Sequence, residues 1–373
     1  MNFFRLNTGN SRIFGLDLLR FFAIMFVVVG HSKILLPEKY KDIVDDFLLD
    51  GVSIFFVLSG FLIGGILIKQ LEKQPASGKL LINFWNRRWL RTLPAYILVL
   101  TFLVIYTYLL KPERLPSDWY KYYLFIQNFN VPQPPFFSES WSLSIEEWFY
   151  LLIPLALFSG LILFKTSVRT MIIWVLGIGT FAVIAYRYYI FQTASLSSFK
   201  EVDLAVMRQV LTRLDAIMIG VAGAFAAFYF PKVWARGSHF ILAAAAVGAL
   251  YFMKFHIPGY TSQYYVVWLP LLKSLAVLAM LPFLSQWKTV RWRISRVVTF
   301  ISLVSYSMYL INRTVVIDIC IKFGLDNNLK HKHVIDENWQ WEYLLFWFLT
   351  ISLSFLLYKL VEMPFMQLRK KEK

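Results

Sequence analysis

Charge is scarce in this chain. Only 16% of its 373 residues are Asp, Glu, Lys or Arg, against about 25% in a soluble globular domain. With 58% hydrophobic residues and a mean hydropathy of +0.57, that deficit excludes a soluble domain. Acidic residues are scarcer than basic ones, 22 against 38, leaving a net charge of +16. The basic residues are spread over short segments between apolar runs and not gathered into a stripe, so no nucleic-acid partner is expected. Cysteine is almost absent. A lone Cys320 excludes an internal disulfide and any Cys-rich metal site. It lies in an apolar stretch and is expected to be an inert core residue. The first apolar segment carries Arg20 and lacks a small-x-small cleavage site, so it reads as a retained span and not a cleaved signal. Internal repeats, low-complexity tracts and a large soluble domain are also missing.

What remains is a succession of apolar runs of about 20 residues, the length that crosses a bilayer. The expected fold is an all-α membrane protein of ten transmembrane helices. The spans are placed near 14–36, 47–68, 92–110, 145–164, 170–190, 212–230, 239–256, 264–284, 297–321 and 341–361. Basic residues, such as those in Asn86-Arg87-Arg88-Trp89-Leu90-Arg91, concentrate on one side of this arrangement, and acidic residues on the other. The positive-inside rule then puts both termini in the cytoplasm. The long stretches 111–144, 191–211 and 322–340 fall outside and are positioned to cover a site opening there. A multi-pass protein of a cell membrane is expected, with residues 1–373 as one integral-membrane domain.

Polar residues inside such spans are costly and normally face a bundle interior or a watery cavity. Arg20 and His31 are the most informative. Eleven residues make about three turns, so the two share one face of the first span, about 16 Å apart along its axis. Asp17, three residues before Arg20, can pair with it. Ser59-Gly60 in the second span permits close helix approach. Arg88 and Arg91 stand one turn apart and suit bidentate contact with phosphate, although a positive-inside anchor would look the same. Glu146 and Glu147 precede the fourth span, where Ser142 offers a helix cap with acids in the first turn. Arg213-Leu-Asp215 opens the sixth span and is readable as an ion pair between helices. His331-x-His333 with Asp336 has ligand-type residues but falls in an expected outer loop, and no metal is assigned.

Taken in order, these clusters resemble the membrane-bound acyltransferase-3 family of bacterial O-acyltransferases. The resemblance is carried by Leu16-Asp17-x-Leu19-Arg20 with His31, and Phe55-Phe56-Val-Leu-Ser59-Gly60-Phe61. It continues through Arg88-x-x-Arg91, Trp141-Ser-Leu-Ser-x-Glu146-x-x-Phe149-Tyr150 and Arg213-x-Asp215. Ser305-Tyr306-Ser307-x-Tyr309-Leu310 and Glu362-x-Pro364-Phe365 complete it. One departure is visible: two positions after Leu310 the family often has histidine, and this chain has Asn312. Some relatives append an extracytoplasmic domain, and none is expected here.

The resemblance implies transfer of an acyl group, commonly acetyl from acetyl-CoA, to a hydroxyl of a cell-envelope glycan or lipid-linked sugar at the bacterial inner membrane. Donor would enter from the cytoplasm and acceptor from outside. Acyl transfer to a hydroxyl needs a base, and His31 is the best candidate because histidine titrates near neutrality. A carboxylate, Glu146 or its rival Asp17, is expected to orient the imidazole. Arg88 and Arg91 would hold the CoA phosphates, with Arg20 between them and His31. Ser59, Trp141, Tyr150, Arg213 and Asp215 form the candidate substrate-binding set. The competing readings are a transporter or flippase using the buried charges as a relay, which predicts inverted repeats, and a receptor or scaffold without CoA dependence.

Overall fold

A computed structural model describes residues 12–236, 239–290, 294–323 and 335–368. All regular structure in these residues is helical. Helix α1 is Phe14–Ser32, a short α2 is Glu38–Phe47 and α3 is Gly51–Leu71. Next come α4, Gly78–Leu110, α5, Ser140–Phe164, and α6, Val168–Thr193. Two shorter apolar helices follow, α7 at Leu214–Tyr229 and α8 at His239–Phe255. Helix α9 is Leu269–Gln286, and α10, Ile294–Ile311, runs into a π-helix at Asn312–Phe323. Helix α11 is Ile335–Leu357.

Eight of the helical segments among the described residues are long and apolar enough to cross a membrane, so the chain is a multi-pass membrane protein. The shorter α7 and α8 stand where the sixth and seventh spans were expected. Residues 1–11 and 369–373, which hold the two termini expected in the cytoplasm, lie outside the described residues, as do His331 and His333.

Two boundaries differ from expectation in a way that matters. Helix α4 begins at Gly78, capped by the Ser77 hydroxyl accepting from the Leu80 N–H at 3.3 Å. Its 33 residues span about 50 Å, so Arg87, Arg88 and Arg91 belong to a continuous helix and not to a loop. Helix α5 begins at Ser140, which moves Glu146 and Glu147 from a helix entrance into its second turn. Propensity explains both: Asn, Arg and Trp lower hydropathy without breaking a helix.

Glycine sets the closest packing. A Cβ on Gly60 would lie 1.9 Å from the Ile217 carbonyl oxygen, and one on Gly220 would lie 2.1 Å from that of Val57. Helices α3 and α7 therefore cross backbone to backbone, the small-residue contact suggested by Ser59-Gly60. Gly51 sits equally close to the Ala23 carbonyl of α1. Ser59, next to the crossing, is thereby turned toward α5. Cys320, expected in the core, is exposed; a helix face meeting lipid is as apolar as one meeting protein, so hydropathy alone does not separate them.

Candidate active site

The close α1–α3 and α3–α7 contacts leave a cavity of about 100 Å³ on the α4–α5 side. Arg20, Ser59, Arg88, Arg91, Glu146 and Tyr150 border it, with Ser305 and Tyr306 of α10 and an apolar wall that includes Phe55 and Phe56. Such a volume holds about three waters, or a group of acyl size. Six of the candidate site residues thus converge from four helices.

Glu146 is held in place by two hydroxyls. The Ser59 Oγ donates to its Oε1 at 3.0 Å and the Tyr150 hydroxyl to its Oε2 at 3.1 Å. Tyr150 follows one turn later on the same face of α5, which puts its ring over the carboxylate. Arg20 and Arg91 lie within electrostatic range of Glu146. Its neighbour Glu147 points about 100° away and accepts from the Thr92 hydroxyl at 2.7 Å. The Tyr306 hydroxyl donates to the Thr92 carbonyl at 2.7 Å, so Glu147 fastens α5 to α4 and Thr92 links α4 to α10.

His31 lies beyond the cavity. Val52 marks the cavity's end on α3, and its neighbour Gly51 packs at the level of Ala23 and Val27. His31 is one turn further along α1 than Val27, about 6 Å. Its Nδ1 is 2.6 Å from Asn312 Oδ1. The expected carboxylate partner is therefore an amide. Glu146 is committed to Ser59 and Tyr150. Asp17 is 14 residues before His31, about 21 Å along the helix. It accepts from Arg12 Nε at 2.8 Å and from the Ser302 hydroxyl at 3.0 Å, with Arg20 at 3.8 Å. Asp17 thus ties the start of α1 to α10.

Other candidate residues serve the frame. Asp215 does not pair with Arg213. It binds Arg187 of α6 at 2.6 Å, and neither side chain is exposed. Arg213 instead donates to the Ser53 hydroxyl at 2.7 Å, and Ser53 and Asp50 cap α3. Arg213 stands just before α7 and Asp215 in its first turn, and their side chains leave toward different helices. Trp141 packs edge-on against Phe56, ring centroids 6.0 Å apart, with the Arg208 guanidinium 6.0 Å from its ring. It is not among the cavity-lining residues.

Three contributors lie outside the candidate set drawn from the sequence. Arg187 was legible as a lone arginine near the end of an apolar run, a feature that should always be asked for its partner. Asn312 was visible as a departure from a pattern, with nothing to say what it touches. Glu139 carried no signal. Just before α5, it is buried and accepts from the Thr314 backbone N–H at 2.7 Å and from the Thr314 hydroxyl. Burial pushes its carboxyl above the ordinary value, partly opposed by the bonds from Thr314 and Ser138. The segment before α5 is held down by Asn128, whose amide donates to the Trp141 and Arg208 carbonyls at 3.1 and 2.6 Å. Stretches 111–139 and 194–213 accordingly meet over the end of the bundle nearest His31.

A family model described as an acyltransferase domain, acyltransferase-3, matches residues 13–359. A peptidoglycan O-acetyltransferase, OatA, of Listeria monocytogenes is 38% identical over 120 residues, 28% of this chain and 19% of its own length. An O-acetyltransferase, OatA, of Staphylococcus aureus is 32% identical over 156 residues, 38% of this chain and 24% of its own length. The chain thus matches about a fifth to a quarter of the length of these curated relatives. No solved structure matches.

Proposed function

The chain belongs to the acyltransferase-3 family, and from that premise we propose that it is an integral-membrane O-acyltransferase. In this reading it moves an acyl group, acetyl from acetyl-CoA, to a hydroxyl of a cell-envelope glycan or lipid-linked sugar outside the bacterial inner membrane. The bundle then has ten spans, counting α7 and α8, with both termini cytoplasmic. Support for the glycan comes from the relatives, whose names describe O-acetyltransferases, one of them acting on peptidoglycan.

The observation that carries the proposal is the cavity. Three guanidiniums, Arg20, Arg88 and Arg91, face one partly open cavity with a single fixed carboxylate, Glu146. That charge balance suits a polyanion with a long arm. Arg88 and Arg91 take CoA phosphates from the α4 side, where the helix extends beyond a bilayer's thickness. Arg20 steadies the arm, and the thioester reaches the Val52–Phe55 end. Glu146 orders Ser59 and Tyr150, whose hydroxyls border the same space. His31, one turn beyond, removes the acceptor hydroxyl's proton as oxygen attacks the thioester carbonyl. CoA leaves as the thiolate and takes up a proton, and the ester remains on the sugar.

The test uses purified protein in nanodiscs with radiolabelled acetyl-CoA. Acetyl-CoA is expected to bind and to be consumed. His31→Ala should lower turnover by about 10²–10⁴-fold while leaving CoA binding intact. Wild-type turnover in that variant would remove His31 as base, and absence of acetyl-CoA binding by the intact protein would remove the donor.

A further inference from the structure

We infer that Asn312 is a positioning residue that fixes the tautomer of His31, leaving Nε2 as the only ring nitrogen able to accept a proton. This deepens the proposal above and rests on His31 being the base.

The argument starts from the amide's own bonds. Asn312 is fully buried at the point where α10 gives way to the π-helix. Its Nδ2 donates to the Met308 carbonyl at 2.8 Å and to the Tyr309 carbonyl at 2.9 Å. Both amide hydrogens are thereby used, on acceptors that offer no alternative. Turning the amide over would set Oδ1 against two carbonyl oxygens, so its orientation is fixed by the backbone. Oδ1 then faces His31 Nδ1 at 2.6 Å. An oxygen that only accepts requires the proton on Nδ1, and in a neutral imidazole the lone pair is then on Nε2.

An amide does this differently from a carboxylate. It orients the ring but adds no negative charge to steady the imidazolium formed in the reaction. The charged groups that act on the ring are Arg313 and Asp318 of the π-helix and Arg208 from the segment before α7. The π-helix is itself anchored by Glu139 through Thr314, two residues after Asn312. Winding of this kind is common at functional sites, and here it brings the amide to the imidazole.

The inference is tested by nitrogen-15 NMR on histidine-labelled protein. The chain has only five histidines, and the His31 signals are those lost in His31→Gln. Wild type should show Nδ1 protonated and Nε2 bare. Asn312→Leu keeps the branching and the number of heavy atoms but removes the acceptor, and should give a mixture or the reverse tautomer. Its kcat should fall by at least about tenfold with the KM for acetyl-CoA unchanged. Asn312→Asp keeps an acceptor and adds charge. It should retain protonated Nδ1, recover part of kcat, and move the acid limb of the kcat pH profile to higher pH. A wild-type tautomer in the leucine variant overturns the inference, as does an unmoved profile in the aspartate variant if the leucine variant does not fold. The NMR arm reads the tautomer whether or not His31 is the base. Failure of the base assignment appears separately, as wild-type turnover in His31→Gln.

Discussion

Two places in this bundle bury charge, and they do so in opposite ways. Between α6 and α7, Arg187 and Asp215 are both wholly shielded and meet at 2.6 Å, with the Thr212 carbonyl accepting from the same guanidinium at 3.2 Å. Around the cavity, Arg20 stands 3.8 Å from Asp17 with 16% of its side chain exposed, and its neighbours Arg91 and Glu146 face the same open volume. The first arrangement is closed and the second leaves room. Under the proposed function, the charges that mark the site are those around the cavity. The closed pair specifies how two helices meet, and the open set has capacity left for a ligand.

Breaking the closed pair should produce the largest effect. Arg187→Met leaves the Asp215 carboxyl without its cation where water does not reach, and is expected to cost about 3–5 kcal/mol of stability. Adding Asp215→Leu should restore most of it, since two apolar residues of similar size replace both ions. Thermal unfolding in detergent reads both. A single variant as stable as wild type would mean the pair is not closed. Gly60→Ala comes next. The new methyl would meet the Ile217 carbonyl at 1.9 Å, backbone that cannot step aside, at a cost of about 3 kcal/mol. Because Ser59 is its neighbour, this variant should also loosen Glu146, so a loss of acetyl-CoA binding beyond the loss of folded protein is expected.

The open set should behave in reverse. Arg88→Ala with Arg91→Ala is expected to cost less stability than breaking the closed pair, since both arginines are only half-buried. It should weaken CoA binding at least about tenfold, or about 1.4 kcal/mol. Isothermal titration alongside a melt separates the two quantities. Equal loss of stability and affinity would erase the distinction between the regions.

That distinction was only half legible in the sequence. Hydropathy found the eight long apolar helices, and the one-face spacing of Arg20 and His31 follows from helix geometry alone. The cavity-lining residues Arg88, Arg91, Glu146 and Tyr150 stood out because polar groups among apolar runs are conspicuous. Partners were harder. Arg213-x-Asp215 looked like a pair because the two are near in sequence, yet Arg213 lies just outside α7 and turns to Ser53, and Asp215 finds Arg187 from α6. His31 seemed to want a carboxylate, but its neighbour is set by where α10 changes winding, and no local pattern announces a π-helix. Pairing across helices depends on rotation and depth, which a linear pattern does not carry.

The smallest expected effect concerns Glu139, a third case between the two. It is buried like the closed pair, but its partners are neutral: the Thr314 N–H and hydroxyl and the Ser138 hydroxyl. With its carboxyl raised above the ordinary value by burial, the folded state binds the proton more tightly than the unfolded chain. Stability is then highest below the unfolded pKa and falls as pH rises through the folded one, the reverse of an acid held by a cation. Glu139→Gln removes that charge and keeps an acceptor for the Thr314 N–H. It should change stability at neutral pH by less than about 1 kcal/mol while flattening the decline above about pH 4. Melts across a pH series check the sign. A variant that loses stability at neutral pH and keeps the slope would mean that the charge itself, not the acceptor, holds the π-helix beside His31.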